Sequence, residues 1–236
     1  ATSLVVARSN ASYTSAAAPT GGFGAAASYS YSAAVTGSAP WAYWRLDETS
    51  GTTVADTSGN GRTLTLSSTG ITRGVDGALL GDANRAMRFD GVTGCAISGT
   101  THNVAYPMTI EAWVRTTSRV GGLLAGFGDT TAQATGQYGY DRQIYFTAAG
   151  KIGFGTFWGS SSTILSTSSY NDGRWHLVEG VITGGGNSLY VDGTLIGTGS
   201  GGGSNTNNYL HVGCGTVHSA HTNAPSSGYL AADIDE

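Results

Sequence analysis

The chain has 236 residues, of which 38 are glycine and only 11% are charged, and its formal net charge is −4. With so few basic side chains it offers no patch that would displace counterions from phosphates, so we do not expect a nucleic-acid partner. The glycine-rich, charge-poor composition is typical of extracellular β-proteins and disfavours a cytosolic enzyme, and the length fits one large domain.

Residues 1–38 are predicted to lie outside the folded core. They consist mainly of alanine, serine, threonine, glycine and tyrosine with almost no charge, a composition that cannot bury enough apolar surface to fold alone. Two interpretations stay open for this leader. It is either disordered, or an anchoring arm that docks on a neighbour through side chains such as Tyr29 and Tyr31. The domain proper is predicted to span residues 39–236.

From Trp41 onward, short strand-like runs alternate with turn residues, and no helical period of useful length appears. This pattern predicts an all-β chain with two packed antiparallel sheets. Along Met108 to Val114, every second side chain is expected to enter the core. Asp192-Gly193 lies between two apolar runs and predicts a two-residue hairpin turn. The predicted strands are 41–47, 63–67, 86–90, 94–98, 108–116, 121–127, 142–148, 151–158, 174–183, 187–192, 194–198, 209–214 and 228–234.

The segment from Asp56 to Gly61 combines a carboxylate, an amide and two glycines in a tight turn. Such a turn can fold its carbonyl oxygens inward beside the carboxylate, as a calcium ion requires. Asp56 and Asn60 would then each supply an oxygen ligand. The alternative is a simple loop in which Asp56 caps its own backbone.

Two cysteines, Cys95 and Cys214, both lie in strand-like runs. They permit either one disulfide or two buried thiols, and we favour the disulfide. A metal site would need more ligands than this pair provides.

The order of several motifs resembles the laminin-G-like branch of the concanavalin-A-like jelly rolls, as found in bacterial and phage surface proteins. The motifs are the Trp41 to Arg62 stretch, the Met108 to Arg115 run and the turn–strand–turn series from Asp172 to Gly193. The resemblance covers about residues 40–236. It implies that the two antiparallel sheets form a jelly-roll sandwich.

The resemblance also implies a calcium site. In similar proteins the acidic pair of a late Ile-Asp-Glu segment closes that site, which corresponds here to Asp235 and Glu236. With Asp56 and Asn60, these residues form the expected metal ligands. Related domains usually continue past this segment into another strand. Either the chain is a fragment of a longer protein, truncated at the C-terminal end of the domain, or that strand is absent or comes from a partner, and an unpaired edge would then serve for assembly.

An enzymatic function is not predicted. Similar retaining glucanases carry their acids as Glu-x-Asp-x-x-Glu, and the nearest cluster here, from Asp233 to Glu236, lacks the leading Glu and the spacing. Glu111 and Glu179 are isolated acids on separate predicted strands. His218 and His221 share a loop without a third metal ligand and are expected to be surface polar groups.

Any ligand is expected at a rim of loops where aromatic rings neighbour small polar residues, because sugars stack their C–H faces on rings. The candidate ligand-binding residues are Tyr138, Tyr140, Arg142 and Trp158. Phe157 belongs to the same segment. The alternative is that Phe157 and Trp158 are core residues.

The leading interpretation is a non-catalytic, calcium-stabilised recognition module that binds carbohydrate or another surface ligand. It would belong to a secreted, cell-surface or virion protein. No apolar run approaches the ~18 residues needed to span a bilayer. The alternative is a structural subunit of an extracellular filament or phage particle that assembles through the leader and an open C-terminal edge. A glucanase-like glycoside hydrolase is a weaker alternative.

Overall fold

A computed structural model describes residues 30–103, 107–131, 141–202 and 207–236. One short helix precedes fifteen β-strands in these ranges. The elements are α1 (Tyr31–Gly37), β1 (Thr53–Val54), β2 (Leu64–Leu66), β3 (Ile71–Asp76), β4 (Arg85–Asp90), β5 (Ala96–Ser98), β6 (Met108–Arg115), β7 (Gly122–Gly128), β8 (Asp141–Phe146), β9 (Lys151–Trp158), β10 (Ser160–Ser169), β11 (Trp175–Thr183), β12 (Gly186–Val191), β13 (Thr194–Gly199), β14 (Tyr209–Val212) and β15 (Ala231–Asp235).

The strands form two antiparallel sheets. The eight-stranded sheet has the order β1-β2-β5-β14-β7-β8-β9-β10, and the seven-stranded sheet has the order β13-β12-β11-β6-β15-β4-β3. Strands that are distant in sequence lie side by side in both sheets, which is the pattern of a jelly-roll sandwich. The all-β, two-sheet prediction is confirmed.

The main core lies between the inner faces of the two sheets. It is built by the alternating apolar residues of each strand, as half-buried strands require. In β6, Met108, Ala112 and Val114 are buried, and Ile110 packs against the same cluster, so the predicted inward face is correct. Fully buried rings include Phe89, Phe146 and Phe154.

The predicted hairpin and disulfide are both present. Asp192 and Gly193 have φ values of 51° and 72°, and they connect the paired strands β12 and β13. Cys95 and Cys214 form a disulfide beside the paired strands β5 and β14, since Cys95 directly precedes β5 and Cys214 closely follows β14. Both half-cystines are almost fully buried.

Residues 41–47 do not form the predicted strand. Leu46 has a φ of 56°, outside the extended region, and the Tyr43 backbone NH bonds the Asp56 side chain instead of a neighbouring strand. The segment nevertheless packs inward, with Tyr43 and Leu46 buried. Sequence patterns also missed β3 and β10, whose residues are largely polar or only half-buried.

The C-terminal strand is not an open edge. β15 pairs with β4 on one side and with β6 on the other, so its backbone groups are paired within the sheet. The expectation of assembly through this edge is therefore wrong, because only an edge strand offers unpaired NH and CO groups to a partner. No helix in the described ranges is long and apolar enough to cross a membrane.

Candidate functional site

The segment from Gly213 to Leu230 crosses the outer face of the eight-stranded sheet. Gln143, which alternates with the core residue Ile144, faces this segment. Its Nε2 donates to the Thr216 carbonyl at 2.8 Å, and its Oε1 accepts from the His218 backbone NH at 2.9 Å. These bonds hold the loop against the sheet, so the loop side chains have fixed positions over β8, β9 and β10.

His221 is buried under this loop, with 3% of its surface exposed. Its Nδ1 lies 2.7 Å from Ser161 Oγ, and its ring stacks on Tyr145 with centroids 6.1 Å apart. Gly155 makes room for the ring, since a Cβ there would lie 2.6 Å from His221 Cγ. Burial, with a contribution from nearby His218, lowers the pKa of His221 to about 4. The expectation of a surface histidine is thus wrong for His221.

His218 and Phe157 form a half-buried ring pair at the edge of this covered area. Their ring centroids are 4.8 Å apart, and their planes differ by 22°, so they stack nearly parallel. Ser161, on the adjacent strand β10, is also half-buried. We call Phe157, Ser161 and His218 the aromatic rim. It combines two rings with a hydroxyl, which is the composition expected of a sugar-binding surface.

The four predicted ligand-binding residues have different outcomes. Tyr138 and Tyr140 lie outside the described residues, and the same is true of the Trp158 side chain. Arg142 is 1% exposed. Its Nε lies 2.9 Å from Asp141 Oδ2, and its guanidinium lies over the Phe127 ring at 4.3 Å. Arg142 is therefore an interior residue, whereas the prediction placed it on an accessible rim.

The Asp56 turn is closed by its own backbone. Asp56 Oδ1 accepts from the NH groups of Tyr43 and Ser58 at 2.9 and 3.0 Å, and Oδ2 accepts from the Arg62 NH at 2.8 Å. Asn60 Nδ2 donates to the Trp41 carbonyl at 3.1 Å. These contacts match the alternative interpretation, in which Asp56 caps its own loop.

Asp235 and Glu236 lie together in a second, buried location. Asp235 Oδ1 and Glu236 Oε1 both accept from Asn84 Nδ2, at 2.6 and 2.9 Å. Arg45 donates to Glu236 Oε1 at 3.0 Å, and the Tyr43 hydroxyl donates to Glu236 Oε2. Burial raises the pKa of the Asp235 carboxyl to about 6 and that of Glu236 to about 7.

The four predicted calcium ligands do not converge on one point. Tyr43 separates them, because its backbone NH contacts Asp56 while the hydroxyl at the far end of its side chain contacts Glu236. Oxygen ligands of one calcium ion must all lie about 2.3–2.6 Å from it, which this arrangement does not allow. Within the described ranges, the one metal-like group of His, Cys, Asp or Glu is Cys95, His211 and Cys214, and its sulfurs form the disulfide.

A family model described as the concanavalin A-like lectin/glucanases superfamily, in its laminin-G form, matches residues 89–236. The chain belongs to this family. No curated protein sequence matched the chain.

Solved structures share the fold of this laminin-G-like domain at low sequence identity. Domain 4 of a GH43 extracellular arabinanase from Geobacillus stearothermophilus is 15% identical, with a TM-score of 0.53, and the match covers 83% of this chain and 91% of that one. Trypanosoma rangeli sialidase is 12% identical, with a TM-score of 0.52, and the match covers 81% of this chain. The match spans only 29% of the sialidase.

The acids on the outer face of the seven-stranded sheet of the laminin-G-like domain are engaged with other side chains. Glu111 and Glu179 lie directly opposite each other on β6 and β11, and the Tyr31 hydroxyl donates to Glu111 Oε1. Asp233 accepts from Arg88 Nε at 2.6 Å and from Arg115 Nη2 at 2.7 Å. Sequence reasoning treated Glu111 and Glu179 as isolated, because the register that pairs them is not visible in a single strand.

Proposed function

We propose that this laminin-G-like domain is a non-catalytic recognition module that binds a glycan at the aromatic rim. The stacked pair of Phe157 and His218 carries the proposal, because it presents ring surface at the edge of a sheet in a superfamily of lectins and glucanases. The aromatic Trp158 follows Phe157 in the chain, and Tyr138 and Tyr140 precede β8 in the sequence. These residues are the proposed extension of the rim.

The proposed ligand class is a neutral or weakly polar oligosaccharide. The arabinanase domain with the same fold was solved in complex with arabinotriose, so arabino-oligosaccharides are the first probes. The rim offers aromatic rings and the Ser161 hydroxyl. The nearby charged residues Asp141 and Arg142 pair with each other and are buried, so they do not add charge to this surface. Such a surface favours hydroxyl-rich sugars over densely charged ones.

The arrangement of the acids supports a non-catalytic function. Retaining glycosidases hold their two carboxyl groups about 5–5.5 Å apart, with a sugar between them. Glu111, opposite Glu179 in the sheet, accepts a hydrogen bond from the Tyr31 hydroxyl. Asp233 is held by two guanidinium groups. Glu111 and Asp233 are thus engaged by other side chains of the domain, which supports the non-catalytic assignment.

A glycan array with the full chain tests this proposal. We expect binding to a restricted set of oligosaccharides, with arabinose-containing chains among the first probes, and no release of reducing ends on prolonged incubation. Hydrolysis of the bound sugars would overturn the non-catalytic assignment. Binding to no glycan on the array would leave a protein ligand as the alternative for this surface.

We further propose that calcium binds beside Asp235 and Glu236, without Asp56 and Asn60. Asp82 borders this location without being one of its ligands, since its Oδ2 lies 3.5 Å from the same Arg45 nitrogen that contacts Glu236. Asn84 Oδ1 is buried with no hydrogen-bond partner, and exchanging the N and O positions of this amide would place an oxygen beside both acids. Buried carboxylates with an amide oxygen are ligands that calcium prefers.

Calcium is therefore expected to raise the melting temperature of the domain. At a concentration of 100 times the dissociation constant, binding to the folded state alone adds about 2.7 kcal/mol of stability. The measurement is thermal unfolding in calcium against a chelator. Glu236→Gln should abolish the difference, while Asp56→Asn should preserve it. An unchanged melting temperature in the wild type would show that Arg45 and Asn84 already complete this location.

The proposed location of the protein is outside the cytosol, as a secreted or surface-exposed domain. The Cys95–Cys214 disulfide fits this placement, because such bonds persist in oxidising compartments and are rare where thioredoxin and glutathione keep thiols reduced.

A further inference from the structure

A fully buried histidine lies beside the disulfide. His211 belongs to β14, and its Nδ1 lies 3.9 Å from Cys214 Sγ. One ligand atom from each of Cys95, His211 and Cys214 lies within 4.8 Å of the other two. All three residues are at most 1% exposed. Two sulfurs and a ring nitrogen therefore share one small volume of the interior.

The hydrogen bond on the other side of the His211 ring determines which nitrogen lies near the sulfurs. His211 Nε2 lies 2.9 Å from the Thr130 carbonyl oxygen, and a carbonyl can only accept, so Nε2 carries the hydrogen. Burial is the main cause that lowers the pKa of His211, so its ring is neutral at neutral pH. Nδ1 is then unprotonated, as a metal ligand must be. Histidines that bind metals commonly donate their other ring NH to a backbone carbonyl in this way.

The pairing of β5 with β14 positions the three side chains. β14 pairs with β5 through His211, while Cys95 directly precedes β5 and Cys214 closely follows β14. The backbone beside both cysteines is bonded as well. The Cys95 carbonyl accepts from the Ser67 NH at 2.8 Å, and Cys214 forms a β-bridge with Tyr229. None of these contacts uses a sulfur atom, so we expect the two thiols to stay close together after reduction.

We propose that Cys95, His211 and Cys214 bind a zinc ion in the reduced protein, before the disulfide forms. Thiolate sulfur and neutral imidazole nitrogen are ligands that zinc prefers, whereas calcium and magnesium select oxygen. Three protein ligands leave one position of a tetrahedral zinc ion for a water molecule. This site is separate from the location proposed for calcium, which consists of carboxylates and an amide.

Zinc and the disulfide exclude each other, because both use the same two sulfur atoms. Zinc binding converts the two thiols to thiolates and releases their two protons to solvent. A disulfide of the oxidising compartment, on a small molecule or a protein, is the oxidant that reverses binding. The sulfurs of Cys95 and Cys214 then form their bond, the two electrons reduce the oxidant to two thiolates, and zinc leaves as Zn²⁺.

Zinc gives the reduced chain the same cross-link that the disulfide gives the oxidised chain. A chain that folds in a reducing compartment has free thiols instead of a disulfide. Because the ligands converge only in the folded state, the free energy of zinc binding stabilises the fold. The segments beside β5 and β14 are thus joined in both redox states, and the two cysteines are protected from reaction with other thiols until oxidation.

Cobalt titration of the reduced full chain tests the proposal, because Co²⁺ reports thiolate ligands by an intense near-ultraviolet charge-transfer absorption. The protein is reduced in denaturant with a phosphine, which binds metals weakly, and is refolded without oxygen. We expect an absorption that saturates at one ion per chain and disappears when zinc is added. The protein with its disulfide intact should give no such absorption.

Variants of the three ligands identify the site. His211→Gln should weaken zinc binding by the reduced protein at least about tenfold, and Cys95→Ser should remove most of the cobalt absorption. His176→Gln is the matched control, because His176 bonds Asp172 and Asp192 and its loss should leave zinc binding unchanged. Wild-type zinc affinity in the His211→Gln protein would contradict the assignment of this ligand.

X-ray absorption of the wild-type zinc complex gives a test that needs no variant. Two sulfur atoms at about 2.3 Å and an imidazole nitrogen at about 2.0–2.1 Å from zinc are expected. If the reduced chain folds only with metal, zinc should restore its native circular dichroism spectrum. A reduced protein that gives no thiolate-to-cobalt absorption, whether or not it folds alone, or a zinc complex without an imidazole ligand, would overturn the proposal.

Discussion

Replacing Cys95 and Cys214 together by alanine is expected to lower the free energy of unfolding by about 5 kcal/mol. The two residues are 119 positions apart, and cross-linking so long a loop removes much of the entropy of the unfolded chain. Chemical denaturation of the double variant and of the wild type under oxidising conditions gives the difference directly.

The matched control is the wild type after reduction and alkylation in denaturant. Both half-cystines are almost fully buried, so the native protein should resist thiol labelling without reductant. A loss below about 1 kcal/mol in the double variant would contradict this account, because it would mean that the cross-link hardly restricts the unfolded chain.

Gly122→Ala is expected to destabilise the domain by about 3 kcal/mol, from backbone strain and overpacking together. Gly122 has a φ of 145°, and a Cβ there would lie 2.6 Å from the Leu230 backbone nitrogen. Backbone cannot move aside as a flexible side chain does. Leu230 ends the segment that carries His218, so the substitution should also displace the aromatic rim.

Gly74→Ala is the control for this prediction. Gly74 also has a positive φ, 73°, but a Cβ there would meet no atom within 4 Å. Its substitution should cost only about 1 kcal/mol, the penalty of the left-handed conformation alone. Equal unfolding free energies for the two variants would show that the close approach of Leu230 to Gly122 is relieved without loss of stability.

Strand pattern and turn chemistry predicted those parts of the fold that depend on local signals. The alternation in β6 and the Asp192-Gly193 turn belong to this class, because side-chain period and φ preference act within a few residues. β10 was missed because serine and threonine dominate it. Its place is decided by pairing with β9, a contact that composition does not reveal.

The candidate site was predicted less completely, because its residues depend on long-range contacts. His221 is far from Ser161 in sequence, and Gly155 admits its ring only once β9 and the loop are packed together. An arginine at position 142 predicts an exposed side chain, but its ion pair with Asp141 and its contact with the Phe127 ring stabilise it in the interior. The alternation of residues within one strand does not reveal which side chains of other strands and loops will contact them.

The predicted calcium residues show the same limit in another form. Asp56 and Glu236 were grouped by resemblance, and both contact Tyr43 in the structure. Asp56 contacts the backbone of Tyr43 and Glu236 contacts its hydroxyl, so the two carboxylates lie apart although they share a neighbour. The length and direction of the Tyr43 side chain keep the two carboxylates apart. The spacing of residues in the sequence does not reveal either.

Isothermal titration of Phe157→Ala and His218→Ala with the best oligosaccharide from the array shows whether the aromatic rim binds glycan. Each variant should lose about tenfold or more in affinity, since ring stacking on a saccharide contributes on the order of 1–3 kcal/mol, by analogy with base stacking. His176→Ala is the control, because His176 bonds Asp172 and Asp192, away from the rim. Unchanged affinity in both rim variants, with melting temperatures equal to that of the wild type, would contradict glycan recognition at this surface.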